Sequence, residues 1–442
     1  MTLPIMAAII SFSVYSIVDA IFLGIAIGPV GVGVIGLTFP VMIGVSASGF
    51  LVGSGATAVI SRFLGERNEE QASRAIAMSF LLTILISTLI VVVLFPFLDF
   101  LIEILGASGD EFSVHAKDYL TYLILGSIAL MSLEVTSGIL MAHGQSARSN
   151  ILFVLASIIN IILDAIFIFV FGWGVAGAAI ATVLSNLLVL GLGFYFLRDS
   201  TRVSQVKLAY FLEIRASLLM QIFRLGIPQF FQDFGFAIVM AVINNLILVY
   251  GANHADTYII AFSIVNRIGI ILVTPMLGIA WGVLPIIGYN YGAKNQIRVL
   301  ATLKTAIIVS ASITTIIVVI SIAISHVVLP QILNDETLTK YTLEIVTILY
   351  LGLPFVGITH IITSYFQAIG KSRRAIVIML TKQIVIPISS LLIAGSLYGI
   401  RGLWVAFPLA DLISLAPAIA LLLIQLRRER IVDEPGITEK IN

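Results

Sequence analysis

Two carboxylates stand where the chain is otherwise most apolar. Asp19 lies within Tyr15-Ser16-Ile17-Val18-Asp19-Ala20-Ile21-Phe22-Leu23-Gly24, and Asp164 closes Asn160-Ile161-Ile162-Leu163-Asp164. On a helix, Asn160 and Asp164 share one face, because residues four apart stack one turn above another. A charge at membrane depth costs roughly 2.5–3.5 kcal/mol on insertion scales, so each acid needs a reason to be there. Two carboxylates and an amide offer only oxygen, the ligand chemistry of a small hard cation. A proton shared between two like-charged neighbours would serve the same end. Either arrangement is a cation-coupling site; the competing reading is that each acid merely bonds a neighbouring helix.

A second group is less specific. Gln229, Phe230, Gln232, Asp233 and Met240, with Phe231 and Phe234, make one segment polar, aromatic and soft at once. Such a lining suits bulky organic cations, although aromatic and methionine side chains more often simply pack. Glu134, Arg267, Lys382 and Asp411 are also scattered through apolar stretches, and opposite charges there are expected to form structural ion pairs.

These residues need elements to hold them, and the composition says which. The 442 residues are 60% hydrophobic and 11% charged, with mean hydropathy +1.13. That is far from a water-soluble domain, which runs nearer a quarter charged. The net charge of +1 leaves no basic excess for a phosphate backbone, so nucleic-acid binding is excluded. With no cysteine, disulfides, thiolate metal sites and cysteine nucleophiles are excluded too.

A transmembrane helix needs about 20 apolar residues, and twelve such segments occur: 4–26, 34–61, 75–98, 119–142, 150–171, 175–197, 219–250, 257–289, 304–329, 342–367, 376–398 and 402–426. The first lacks a basic leader and a cleavage site, so it is expected to be a retained span. Most of the 24 Lys and Arg fall in or beside the turns after even-numbered spans and in the tail. The exceptions are Lys117, Lys340 and Arg401, together with Arg267 and Lys382 inside spans. By the positive-inside rule both termini are expected in the cytoplasm.

The sequence also repeats itself. Phe63-Leu64-Gly65-Glu66-Arg67-Asn68 answers to Asn290-Tyr291-Gly292-Ala293-Lys294-Asn295 at an offset of 227. Leu140-Met141-Ala142-His143-Gly144-Gln145-Ser146 answers to Phe366-Gln367-Ala368-Ile369-Gly370-Lys371-Ser372 at 226, and Val175-Ala176-Gly177-Ala178 to Ile400-Arg401-Gly402-Leu403 at 225. The expected organisation is a six-helix lobe over 1–197, a cytoplasmic linker over 198–218, a second lobe over 219–426 and a tail over 427–442. Two such lobes can alternate access by rocking about a shared cleft. Gly49–Gly53 and Gly278–Gly282 are small-residue steps suited to close helix packing. Under the same offsets Asp164 lands on Ser389 or Ser390 and Asp19 near Asn245, so coupling is expected in the first lobe only.

Catalytic motifs are missing. The five His residues show no His-Glu-x-x-His spacing, and Tyr365 stands where a P-loop ending in Gly370-Lys371-Ser372 would need its first Gly. An enzyme and a nucleotide-driven pump are therefore not expected. No cofactor is expected either, and an ion gradient is left as the energy source.

Taken in order, Asp19-Ala20-Ile21-Phe22-Leu23-Gly24, Asn160 with Asp164 in Ile159-Asn160-Ile161-Ile162-Leu163-Asp164, and Gly174-Val175-Ala176-Gly177-Ala178-Ala179-Ile180-Ala181-Thr182 resemble the multidrug and toxic compound extrusion (MATE) family. The likeness covers essentially the whole chain and is nearest the bacterial and archaeal branch containing DNA-damage-inducible-type and staphylococcal-type exporters. It implies an all-α integral membrane protein with twelve helices in two pseudo-symmetric bundles, V-shaped. The implied activity is antiport: small amphiphilic, often cationic, organic compounds leave in exchange for H⁺ or Na⁺. By the same resemblance the ion site falls on Asp19, Asn160, Asp164 and Thr182, and a helix 1 hinge on Pro4. Asp233 stands too near Pro228 to align with the acid that the other branch carries on helix 7. A monomer in the cell membrane, contacting lipid but neither nucleotide nor nucleic acid, completes the expectation. The rival reading is a lipid-linked-oligosaccharide flippase, which usually has fourteen spans and a basic cleft. A prenyl-transfer enzyme would need paired Asp-rich motifs, and none occurs.

Overall fold

A computed structural model describes residues 2–105, 110–200, 207, 209–333 and 335–433. Every regular element among them is helical. In the first half these are α1 (Thr2–Ile27), α2 (Pro29–Gly65), α3 (Glu69–Leu94), α4 (Leu98–Leu105), α5 (Asp110–Leu125), α6 (Ser127–Ala142), α7 (Ser146–Asp164) and α8 (Gly174–Ser200). After the short α9 (Ala209–Leu212) come α10 (Ala216–Tyr250), α11 (Ala255–Gly292), α12 (Gln296–Ile332), α13 (Glu336–Leu349), α14 (Leu353–Ala368), α15 (Ser372–Leu380) and α16 (Ile386–Asp433). An all-helical answer follows from the solvent: in hydrocarbon every backbone N–H and C=O must find its partner within the segment.

Among the described residues nine helical runs are long and apolar enough to cross a membrane, and α5 with α6, bent by 47° at Gly126, makes ten. One of the nine, Ser372–Arg428, is 57 residues long and is broken at Gly399, whose φ of 60° is outside any helix, so it carries two spans. With α1 this accounts for the twelve apolar segments of the sequence. Residues pointing outward are themselves apolar, as on α12, where Ile316, Val319 and Ile320 are all more than half exposed. That belt is what a lipid solvent requires.

The repeat recurs as backbone conformation. Arg67 and Lys294 both adopt a left-handed φ, 56° and 57°, and so do Gly144 and Gly370 at 75° and 77°, and Gly174 and Gly399 at 52° and 60°. The first four of these residues each close a helix by the same pair of bonds, for example Asn68 N to Phe63 O at 2.9 Å and Asn295 N to Asn290 O at 2.9 Å. This is the Schellman arrangement, which satisfies the last carbonyls of a helix.

The chain forms two compact units. One comprises Met1–Ala237 with Trp281–Thr302 and Gln367–Gly370; the other comprises Ile238–Ala280, Leu303–Phe366 and Lys371–Asn442. The first unit gathers the ends of α10 and α11 onto α2 by backbone contact. A methyl on Gly55 would overlap the Ile222 carbonyl, one on Gly226 the Leu51 carbonyl, and ones on Gly65 and Gly292 the carbonyls of Tyr289 and Arg62. Only glycine lets backbones approach so closely. On the other side of α2, a methyl on Gly53 would come within 2.9 Å of the Glu134 carbonyl, which places α6 there. The second unit has its own core, with Trp404 fully buried against Phe262 at 5.9 Å and Tyr350 Oη donating to Val265 O at 2.7 Å.

Candidate cation-coupling site

In the first unit α1 packs on α7 and α8, and their facing sides carry the polar residues. Asp19 on α1 is 5% exposed, Asn160 and Asp164 on α7 are 2% and 0%, and Thr182 on α8 is 5%. All four residues named for the ion site are thus buried on the packed helices α1, α7 and α8. Each carboxylate lies within electrostatic range of the other. Asn160 Nδ2 points to Thr182 Oγ1 at 3.4 Å, while the Thr182 hydroxyl donates to Ala178 O at 3.1 Å. Thr182 thereby turns its lone pairs toward the amide and fixes which end of Asn160 faces the acids.

Four of the remaining oxygens have nothing to bond. Asp19 Oδ1, Asn160 Oδ1 and both carboxylate oxygens of Asp164 are shut off from solvent without a hydrogen-bond partner. Buried polar atoms are normally satisfied, and leaving one unpaired costs about 1–3 kcal/mol, more for a charge. Four such acceptors on the facing sides of α1 and α7, with no hydrogen-bond partner, are complementary to a cation. The donor set, carboxylate and amide oxygen, fits a hard monovalent ion or a proton. No cluster of three His, Cys, Asp or Glu occurs among the described residues.

Asp164 is the last residue of α7 proper. The helix continues as a widened π turn over Ala165–Val170, closed by Phe171 N to Ile166 O at 3.0 Å. Wide turns of this kind recur at functional sites because they displace one peptide from its helical ladder. Two phenols complete the surroundings: Tyr15 on α1 and Tyr119 on α5 both lie within electrostatic range of Asp19 and Asp164. Sequence reasoning passed over both. For Tyr15 the signal was its spacing of four from Asp19, which puts it on the same face; for Tyr119, on a distant helix, there was none.

The other residues singled out are dispersed. Pro4 falls in the first turn of α1, where a missing N–H gives up no intrahelical bond. Its side chain is outside the described residues. Gln229 and Asp233 share a face of α10, with Gln229 Nε2 donating to Asp233 Oδ2 at 3.3 Å, and Gln232 is 8% exposed. Phe230 stacks on Phe234 at 5.4 Å along the next face. Met240 belongs to the second unit and packs against its buried cluster. The expected ion pairs resolve unevenly. Lys382, 8% exposed, lies in the field of Asp411 within the second unit. The charge acting on Glu134 is another acid, Asp233, because α6 and α10 flank the same stretch of α2.

Fold and site together define an all-helical, multi-pass membrane protein whose first unit buries a group of carboxylate and amide oxygens. The chain belongs to the MatE family, whose profile matches residues 4–166 and 225–393. Among curated relatives it is similar to the multidrug export protein MepA of Staphylococcus aureus (strain N315), 29% identical over 99% of this chain and 95% of that protein. It is also similar to MepA of Staphylococcus haemolyticus (strain JCSC1435), 28% identical with the same coverage. The fold matches the outward-facing structure of a multidrug resistance MATE transporter of the MOP superfamily, with TM-score 0.88 and 23% identity over 98% of this chain and 96% of that one.

Proposed function

We propose that this protein is a secondary active multidrug efflux antiporter, exporting amphiphilic, often cationic, organic compounds in exchange for H⁺ or Na⁺. The observation that carries this reading is the set of four partnerless oxygens on Asp19, Asn160 and Asp164, buried at membrane depth. Family membership and the names of the MepA relatives support it. In this mechanism an entering cation neutralises the Asp19 and Asp164 pair, with Asn160 held in register by Thr182. Loss of the charge lets α1 shift against α7, a movement for which the resemblance names Pro4 although its place in the first turn of α1 supplies no interior break. That shift collapses the cargo pocket, to which Gln229, Phe230, Gln232, Asp233 and Met240 contribute. Lobes over 1–197 and 219–426, joined by the linker 198–218 and followed by the tail 427–442, alternate access to the two faces.

The protein acts in this reading as a monomer in the cell membrane with both termini cytoplasmic, its only other partner the surrounding lipid. One charge moving down 100 mV releases about 2.3 kcal/mol, enough to hold a neutral cargo at a roughly 50-fold gradient. The test is dye efflux from proteoliposomes, driven separately by an imposed pH gradient and an imposed sodium gradient. One of the two is expected to drive efflux, and Asp164→Asn to abolish it. Undiminished gradient-driven efflux by that variant would remove the pocket from the mechanism.

A further inference from the structure

The linker between the two halves of the sequence is polar in composition, yet within the first unit its last residues are pinned to a membrane helix. On α3 no charged residue occurs between Arg74 and Asp99, so the run that lies in hydrocarbon begins just after Arg74. Arg74, Met78, Leu85, Leu89 and Val92 follow one another along one face of α3 at helical spacing. Leu85, Leu89 and Val92 are each more than half exposed, which makes this the lipid-facing side. At the Arg74 end the same face is covered by α9 and the residues after it. The Arg74 guanidinium lies over the Tyr210 ring at 4.6 Å and hydrogen-bonds Glu213, and Arg215 N donates to Met78 Sδ at 3.4 Å. Met78 stands about 10 Å from Leu85 along the helix axis. Residues 210–215 therefore cross α3 at the membrane boundary, on the side that faces lipid.

The outer side of this segment is apolar. Leu212 is 83% exposed and Ile214 65%, while Glu213 between them turns back to Arg74. We propose that Leu212 and Ile214 insert into the near leaflet of the membrane and anchor the linker at the level of the headgroups. Lipid is the occupant because the segment continues the row of Leu85, Leu89 and Val92, which lipid already covers. Entry into the interface removes the two side chains from water, the driving force that holds other interfacial segments in place. Lys207, exposed, and Arg215 stand on either side of the pair and suit anionic headgroups. The Glu213 carboxylate does not oppose them, since its charge is paired with Arg74. α10 begins at Ala216, directly after the anchor, so the linker holds the start of that helix against α3. This inference goes beyond the efflux reading and does not depend on what is carried.

The test uses the full-length protein, which has no cysteine of its own, with Leu212→Cys, Ile214→Cys or Glu69→Cys labelled by the fluorophore NBD. Glu69 is exposed at the start of α3, about 13 Å beyond Met78, and serves as the reference in water. Each is reconstituted in vesicles of phosphatidylcholine and phosphatidylglycerol in equal parts, carrying a nitroxide lipid labelled either high on the acyl chain or near its middle. Both linker labels are expected to be quenched at least 2-fold more than the Glu69 label, and more by the shallow nitroxide than by the deep one. Quenching no greater than at Glu69 overturns the proposal. Shielding of the two labels that rises with protein density, and not with nitroxide lipid, also overturns it, since that reports a second copy on this face. As a measurement free of the label, the double variant Leu212→Ser with Ile214→Ser, eluting as the wild type does, is expected to be cut by trypsin at Arg215 several-fold faster in the same vesicles. Cleavage at the wild-type rate overturns the proposal as well.

Discussion

Alanine at Gly138 and alanine at Gly44 should move stability in opposite directions, although both are glycines within apolar helices. At Gly138 on α6 an added methyl would overlap the Gly53 carbonyl oxygen and come within 2.8 Å of its carbon and 2.9 Å of its Cα, all of it backbone that cannot swing aside. Separating the helices to make room costs about 1–3 kcal/mol. It also stretches the bond from Thr57 Oγ1 to Gly138 O, now 2.8 Å, worth about 0.5–1.5 kcal/mol. Gly44 has nothing within 4 Å of the added methyl, so there alanine brings only its helical preference, about 0.5–1 kcal/mol. At roughly 2–4 °C per kcal/mol, Gly138→Ala should melt about 3–18 °C lower than wild type in detergent. By the same conversion Gly44→Ala should melt about 1–4 °C higher. Thermal unfolding followed by tryptophan fluorescence or by loss of the monodisperse chromatographic peak reads both. Shifts of the same sign, or no loss at Gly138, would show that α2 and α6 do not meet through these glycines and would refute the packing argument.

Thr182→Val keeps the shape of α8 but removes the hydroxyl that holds Asn160 Nδ2 at 3.4 Å. The apparent affinity for the driving ion in efflux assays should fall about 2- to 10-fold, the equivalent of one neutral hydrogen bond, with protein yield unchanged. Arg74 on α3 hydrogen-bonds Glu213 beyond α9 and holds its carboxyl below the ordinary carboxylate range. Because that value is depressed, the tether is complete above the usual carboxylate range and is lost as pH falls through Glu213's lowered value. Glu213→Gln should therefore speed trypsin cleavage at Arg215 at neutral pH, and acid should expose Phe211–Leu212 to pepsin in the wild type. Asp335 Oδ1 accepts from Leu338 N at 2.9 Å and caps α13. Asp335→Ala should cost that helix end about 0.5–2 kcal/mol, read as faster amide exchange at Leu338 and Thr339 with the rest of the chain unaffected.

Much of this protein is legible along the chain because its solvent is hydrocarbon. Twelve apolar runs had to be helices, since no other backbone satisfies its own polar groups there. The turns at Arg67 and Lys294, Gly144 and Gly370, and Gly174 and Gly399 could be paired by offset, because a left-handed helix end constrains a few consecutive residues and leaves a local mark. Asp19, Asn160 and Asp164 could be singled out one by one, since an ionisable or amide group in such a run is conspicuous by its cost. Tertiary structure decided what those residues meet. That Asn160 leans on Thr182 rather than on a backbone group depends on how α7 and α8 pack. That the charge acting on Glu134 is Asp233, and not one of the bases that opposite charge would suggest, depends on α6 and α10 flanking one stretch of α2. Hydropathy reports how a residue meets its solvent, which each segment settles by itself. Proximity between helices is set by where glycines allow backbones to touch, and that is a property of pairs of segments that no single one displays.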